Sequence, residues 1–209
     1  MAELFGGLAE RWLELLAVGF GLVSVWLSAH EDIWSWPTAI VNVGIFFFIF
    51  WEEKLYADSV LQLFYLGMSV YGWWAWLHGG ANRSALHVTR ATARQWGAVL
   101  PLMLGCGLAL GWYLDNHTDS PVPYMDALLT TTSLGAQWMM ARKILENWIV
   151  WIVADIVYVP LFISRGLPWT AVQYAVFLGL AWMGYRAWKQ SLLAPAQGLG
   201  RQGGGPQAA

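Results

Sequence analysis

Charge is scarce in this chain. Asp, Glu, Lys and Arg make up 11% of its 209 residues, against about 25% in soluble globular domains. With so few polar groups the chain cannot cover its own surface against water. Cysteine is nearly absent too: Cys106 is alone and falls mid-span, which excludes a disulfide framework. The four histidines, His30, His78, His87 and His117, are dispersed, so no metal-ligand cluster is expected. There is no phosphate-cradling glycine loop and no Ser-His-Asp arrangement, and so no visible machinery for ATP coupling or for an enzyme. A net charge of −2 argues against nucleic acid. The start, "MAELFGGLAERW", is acidic and carries no small-residue cleavage pattern, so no signal peptide is expected.

What the chain does have is hydrocarbon. Ile33–Trp51, Ser59–Asn82, Gln95–Leu114 and Gly166–Tyr185 run 19, 24, 20 and 20 residues without a charge. Leu15–Ala29 and Ala127–Ala141 are shorter, and Asn147–Ser164 is broken only by Asp155. A span needs roughly 20 mostly apolar residues, which gives seven predicted helices. The fold class is an all-α membrane protein, a single domain over residues 8–193. The Gly/Pro/Gln tail over 194–209 has nothing to bury and is expected to be disordered. Lys and Arg divide three against eight between the two sides, which places the N-terminus outside and the C-terminus in the cytoplasm.

The chain repeats itself at an offset of 112 residues. Trp26, Trp36 and Trp76 fall on Trp138, Trp148 and Trp188, and "GMSVYGWWAW" falls on "GLAWMGYRAW". Equivalent helices are four spans apart, an even number, so both halves point the same way. The expected architecture is three helices (8–82), a linker helix (95–114) and three more (124–193), with a substrate near the midplane.

Asp155 sits eight residues into its helix, and an Asp at mid-span costs about 3 kcal/mol on insertion scales. Trp148, Trp151 and Asp155 are spaced i, i+3, i+7 and share a helical face. Asn42 lies at the corresponding depth of the repeat-mate helix, six residues after Trp36. Gln62, Tyr65 and Tyr71 lie on the third helix and Gln137 near the end of the fifth. A lone Asn or Gln is equally well explained by an interhelical hydrogen bond. An Asp with no basic residue at matching depth should instead face a wet or ligand-filled cavity. Most of the other tryptophans sit at span ends, where indoles anchor at the headgroups. Indole faces, a carboxylate and amides suit a small planar ring with a polar arm, favouring a cation.

The stretches Trp26–Trp76 and "ARKILENWIVWIVADIVYVPLF" (Ala141–Phe162) closely resemble the PnuC family of nicotinamide riboside transporters, with KLYAD, YGWW and the RKxxENWxxWxxxD run as its most specific parts. The resemblance covers nearly all of the chain except the tail. It implies a SWEET-like seven-helix transporter that moves nicotinamide riboside by facilitated diffusion across the inner membrane, with trapping by a cytosolic kinase and no cofactor. It implies a site of Trp148, Trp151 and Asp155, with Trp36 and Asn42 as first-half counterparts and Gln62 on the third helix. Lys143 and Asn147 fall in the shared run. The expected partners are the substrate, membrane lipid and a riboside kinase, and a homo-oligomer stays an open option. Relatives of the same fold carry thiamine or riboflavin, and the residues alone leave thiamine open. An ion channel would want rings of charges or carbonyls, and a purely structural protein gives Asp155 no reason.

Overall fold

A computed structural model describes residues 2–164, 166 and 168–194, with side chains from residue 12 onward except 56–57 and 168–170. The expected disorder at 195–209 lies outside the described residues. The described chain is helical: α1 (Ala2–Ala29), α2 (Ser35–Glu52), α3 (Tyr56–His78), α4 (Ala93–His117), α5 (Pro123–Ala141), α6 (Asn147–Ser164) and α7 (Pro168–Leu193), with one 3-10 turn at Ala81–Arg83. Local chemistry sets several of these boundaries. Thr92 opens α4 with a capping box, its Oγ1 accepting from the Gln95 N–H while Gln95 Oε1 accepts from the Thr92 N–H. Pro123 opens α5, where its missing N–H costs nothing.

Four helices, α1, α2, α4 and α6, are long and apolar enough to cross a membrane. The other three of the seven expected spans are also long, at 23, 19 and 26 residues, but carry more polar side chains. The reason is visible on α5, where Thr131 and Ser133 are buried inside the protein and Gln137 borders a cavity. Large apolar side chains such as Phe48, Leu102, Leu104 and Ile156 are exposed on the outside, as a lipid-facing surface requires.

Six helices close into a ring, each packed on the next: α1 on α2, α2 on α3, α3 on α5, α5 on α6, α6 on α7, and α7 back on α1. α4 stands outside the ring against α5. Its inner face is cut to fit. A Cβ on Gly107 would lie 2.6 Å from Leu128 Cδ2 and one on Gly111 2.6 Å from Tyr124 Cδ1.

The offset of 112 recurs in the backbone. α2 and α6 begin and end at equivalent residues, and so do the C-termini of α1 and α5. The turn between α1 and α2 holds Glu31 at φ 59°, and its equivalent between α5 and α6 holds Lys143 at φ 50°. Lys54 (φ 60°) and Gly166 (φ 72°) match in the same way. The segment after α3 buttresses the second of these turns. The Thr89 N–H donates to Lys143 O, the Leu145 N–H donates to Thr89 O, and the Ala91 N–H donates to Glu146 Oε2.

Candidate functional site

The ring encloses a cavity of about 270 Å³ that all six of its helices line and α4 does not reach. Ligand pockets run from roughly 300 to 1,000 Å³, so this one suits a small molecule. A second space of about 390 Å³ lies between α4 and α5. It is the larger but chemically blank: its walls are Leu102, Met103, Leu134, Trp138 and similar groups, and the Thr131 hydroxyl there already donates to Met103 O at 2.9 Å. The polar chemistry is in the first cavity.

One end of that cavity is floored by four indoles in a chain. Trp36 meets Trp76 edge-to-face at 5.2 Å and 89°, Trp76 meets Trp188 at 5.9 Å, and Trp188 meets Trp148 edge-to-face at 5.4 Å and 87°. Trp36 and Trp148 border the cavity, while Trp76 and Trp188 lie behind them, fully buried. The two inner indoles are tied across the ring, Trp76 Nε1 donating to Met140 O and Trp188 Nε1 to Ser28 O. Ser28 and Met140 are themselves 112 apart. Glycines make the fit: a Cβ on Gly72 would overlap the Trp36 ring, and one on Gly184 would lie 2.6 Å from Trp148 Cε2. Beyond the indoles, Lys143 Nζ sits 2.8 Å from Glu31 Oε2 and 4.5 Å above the Trp76 ring.

The walls carry the recognition groups. Trp148, Trp151, Asp155 and Tyr158 occupy one face of α6, as their spacing dictates. Asp155 is 3% exposed, and among the described residues no cation reaches it. Tyr158 and Tyr174 face each other at 4.5 Å, and Tyr174 meets Phe177 at 6.1 Å, so aromatic rings from α6 and α7 flank the carboxylate. From the other half come Ser24 and Ser28 on α1, Ala39 on α2, and Tyr65 on α3, whose hydroxyl is 2.6 Å from Ser133 Oγ. No Lys, Arg or His borders the cavity.

Of the residues expected from sequence, Trp36, Tyr65, Gln137, Trp148, Trp151 and Asp155 border this cavity. Asn42, Gln62, Asn147, Tyr71 and Lys143 do not. Asn42 is six residues after Trp36, about 240° around the helix, and its Nδ2 donates to Ala17 O on α1 at 2.7 Å. Asn147 opens α6, and its Nδ2 donates back to Ile144 O at 2.6 Å. Tyr71 accepts from Arg142 at 3.0 Å, and Lys143 is held by Glu31. Gln62 is half-buried one turn before Tyr65.

Sequence reasoning missed Val25, Ser28, Ala39 and Phe177, although a signal for them was present. Val25 and Gln137, Ser28 and Met140, Trp36 and Trp148, Ala39 and Trp151, and Tyr65 and Phe177 are pairs 112 apart, and these ten supply most of the sixteen lining residues. Within most pairs one member is larger or more polar. The cavity is therefore symmetric in backbone and asymmetric in chemistry, and it fixes which way round a ligand lies.

A family model described as "Nicotinamide mononucleotide transporter" matches residues 11–190. The chain is 26% identical over 211 residues to the nicotinamide riboside transporter PnuC of Escherichia coli (strain K12), covering 89% of this chain and 88% of that one. It is 24% identical to the riboflavin/roseoflavin transporter RibM of Streptomyces davaonensis, covering 85% and 84%. In fold it is similar to the crystal structure of the vitamin B3 transporter PnuC, with a TM-score of 0.68 at 22% identity, over 91% of this chain and 86% of that one.

Proposed function

Because the chain belongs to the nicotinamide mononucleotide transporter family, a family of transporters rather than enzymes, we propose that it carries nicotinamide riboside, the nucleoside without its phosphate. The observation that carries this reading is the charge of the cavity: one carboxylate, Asp155, and no Lys, Arg or His. Nicotinamide riboside is a planar pyridinium cation bearing a carboxamide and a ribose. Its ring can lie against Trp148 and Trp151, where each indole face contributes about 0.5–2 kcal/mol to a cation, with Asp155 supplying the counter-charge. The mononucleotide adds a phosphate near −2, which would be buried against Asp155 with no partner. Burying an unpaired charge is among the most costly arrangements available.

The recurrence of helix ends, turns and indole contacts at 112 residues supports a 3+1+3, SWEET-like arrangement, with α4 as the linker between two like-oriented halves. Membrane-crossing helices and family membership make it a multi-pass protein of the bacterial inner membrane. The Lys and Arg distribution supports an outside N-terminus and a cytoplasmic C-terminus. The indole floor and the Glu31–Lys143 pair then lie at the cytoplasmic end, with each pair drawn from both halves. Release to the cytoplasm separates Trp76 from Trp188 and Glu31 from Lys143 as one half rocks against the other. Transport runs down the gradient, and a cytosolic riboside kinase makes uptake one-way, because the phosphorylated product no longer fits an acidic cavity.

Thiamine is the second reading, since it too is a flat cation with a hydroxyl arm. Riboflavin is uncharged and three-ringed, so it gains little from Asp155 and fits about 270 Å³ poorly. Calorimetric titration of the purified protein with all three vitamins tests the assignment. Nicotinamide riboside is expected to bind most tightly, and a thiamine isotherm with no riboside signal would overturn it.

A further inference from the structure

The contact between Tyr65 and Ser133 joins the two halves across the cavity wall, and its hydrogens can be assigned. Ser133 Oγ lies 2.8 Å from Thr130 O and 2.6 Å from Tyr65 Oη. A carbonyl oxygen only accepts, so two oxygens at 2.8 Å need the serine hydrogen between them. Ser133 has just that one hydrogen. The Tyr65 hydrogen must therefore lie in the bond to Ser133, leaving Tyr65 Oη with lone pairs and no hydrogen for anything else.

Resting on the nicotinamide riboside reading, we propose that Tyr65 is a specificity-determining residue that accepts a hydrogen bond from one ribose hydroxyl, and that Ser133 is the positioning residue that makes it acceptor-only. Both side chains border the cavity, and Tyr65 stands on α3, in the half opposite Trp148, Trp151 and Asp155. A ring held at the indoles and the carboxylate sends its polar arm toward the other half, where Tyr65 waits. A ligand offering an acceptor there, such as an ether oxygen or fluorine, meets lone pairs against lone pairs. The Thr130–Ser133–Tyr65 relay thus reads a hydroxyl by its hydrogen. A site built to pair a substrate hydroxyl discriminates strongly against analogues lacking it, because the protein group is left unmatched.

The test is a set of titrations of wild type, Tyr65→Phe and Ser133→Ala with nicotinamide riboside and its 2′-, 3′- and 5′-fluoro-deoxy analogues. Fluorine replaces each hydroxyl with a group that cannot donate. In wild type, one analogue should bind about tenfold or more weaker than the parent. Tyr65→Phe should weaken the parent to the level of that analogue and remove the difference between them, leaving the other two penalties unchanged. In Ser133→Ala the tyrosine is free to turn its hydrogen into the cavity, so the same penalty should shrink although the serine itself is gone. Equal weakening of all four ligands by Tyr65→Phe, or an unchanged penalty in Ser133→Ala, would overturn the proposal while leaving the substrate assignment intact. No binding of the parent riboside by wild type would sink the assignment and this proposal with it. Circular dichroism of each variant shows that a loss reflects the site and not the fold.

Discussion

Glu31 and Lys143 occupy the same place in the two halves, in turns of the same conformation, and they bond to each other. If the halves are related by an axis through the ring, the two positions are interchangeable. The charge swap Glu31→Lys with Lys143→Glu should then rebuild the pair. The side chains are 9% and 23% exposed, between the limits for which magnitudes are known. Removing one partner costs roughly 3–5 kcal/mol when a pair is buried, and an exposed pair is worth 0.2–1 kcal/mol. Each single reversal should therefore cost about 2–3 kcal/mol, since two like charges meet in a half-dry place. At 2–4 °C per kcal/mol for a chain of this size, that is on the order of 5–10 °C in thermal unfolding followed by tryptophan fluorescence in detergent. The double variant should return to within about 1 kcal/mol of wild type. The cation over Trp76, at 4.5 Å, is lost in the swap, but a lysine at 31 meets Trp188 by the same symmetry. A double variant as unstable as the sum of the singles would refute the equivalence of the two sites, and with it the two-half architecture.

Other outcomes follow from the same geometry. Asp155→Asn should weaken nicotinamide riboside about tenfold or more in calorimetry, since an unpaired charge partner goes while the shape stays. Gly184→Ala and Gly72→Ala should each cost about 1–3 kcal/mol in thermal unfolding, as overpacking against Trp148 and Trp36 does. Gly179→Ala and Gly67→Ala, with nothing within 4 Å of the added carbon, should be neutral or slightly stabilising. Thr92→Ala should cost about 1 kcal/mol through the lost cap of α4.

The helices were legible because charge-free runs of about 20 residues have few other uses, and the offset of 112 was legible because tryptophan is rare enough to mark a register. Trp148, Trp151 and Asp155 could be placed together from spacing, since seven residues return to nearly the same helical face. Residue type was a poorer guide than rotation. Asn42 and Asn147 look like site amides, yet each donates to a backbone carbonyl of its surroundings. Ala39, Val25 and Phe177 gave no polar signal, but they are the repeat mates of residues that did. What no spacing rule reveals is the ring order, which sets α1 against α7 and α3 against α5 and so brings Tyr65 to Ser133.

The account rests on Asp155 as the counter-charge to a bound cation. Reduced nicotinamide riboside has nearly the same shape and no charge on its ring, so the ratio of its affinity to that of the oxidised form isolates the electrostatic contribution. Wild type should favour the oxidised cation, and Asp155→Asn should bring the two affinities close together. A ratio that Asp155→Asn leaves unchanged would contradict the account.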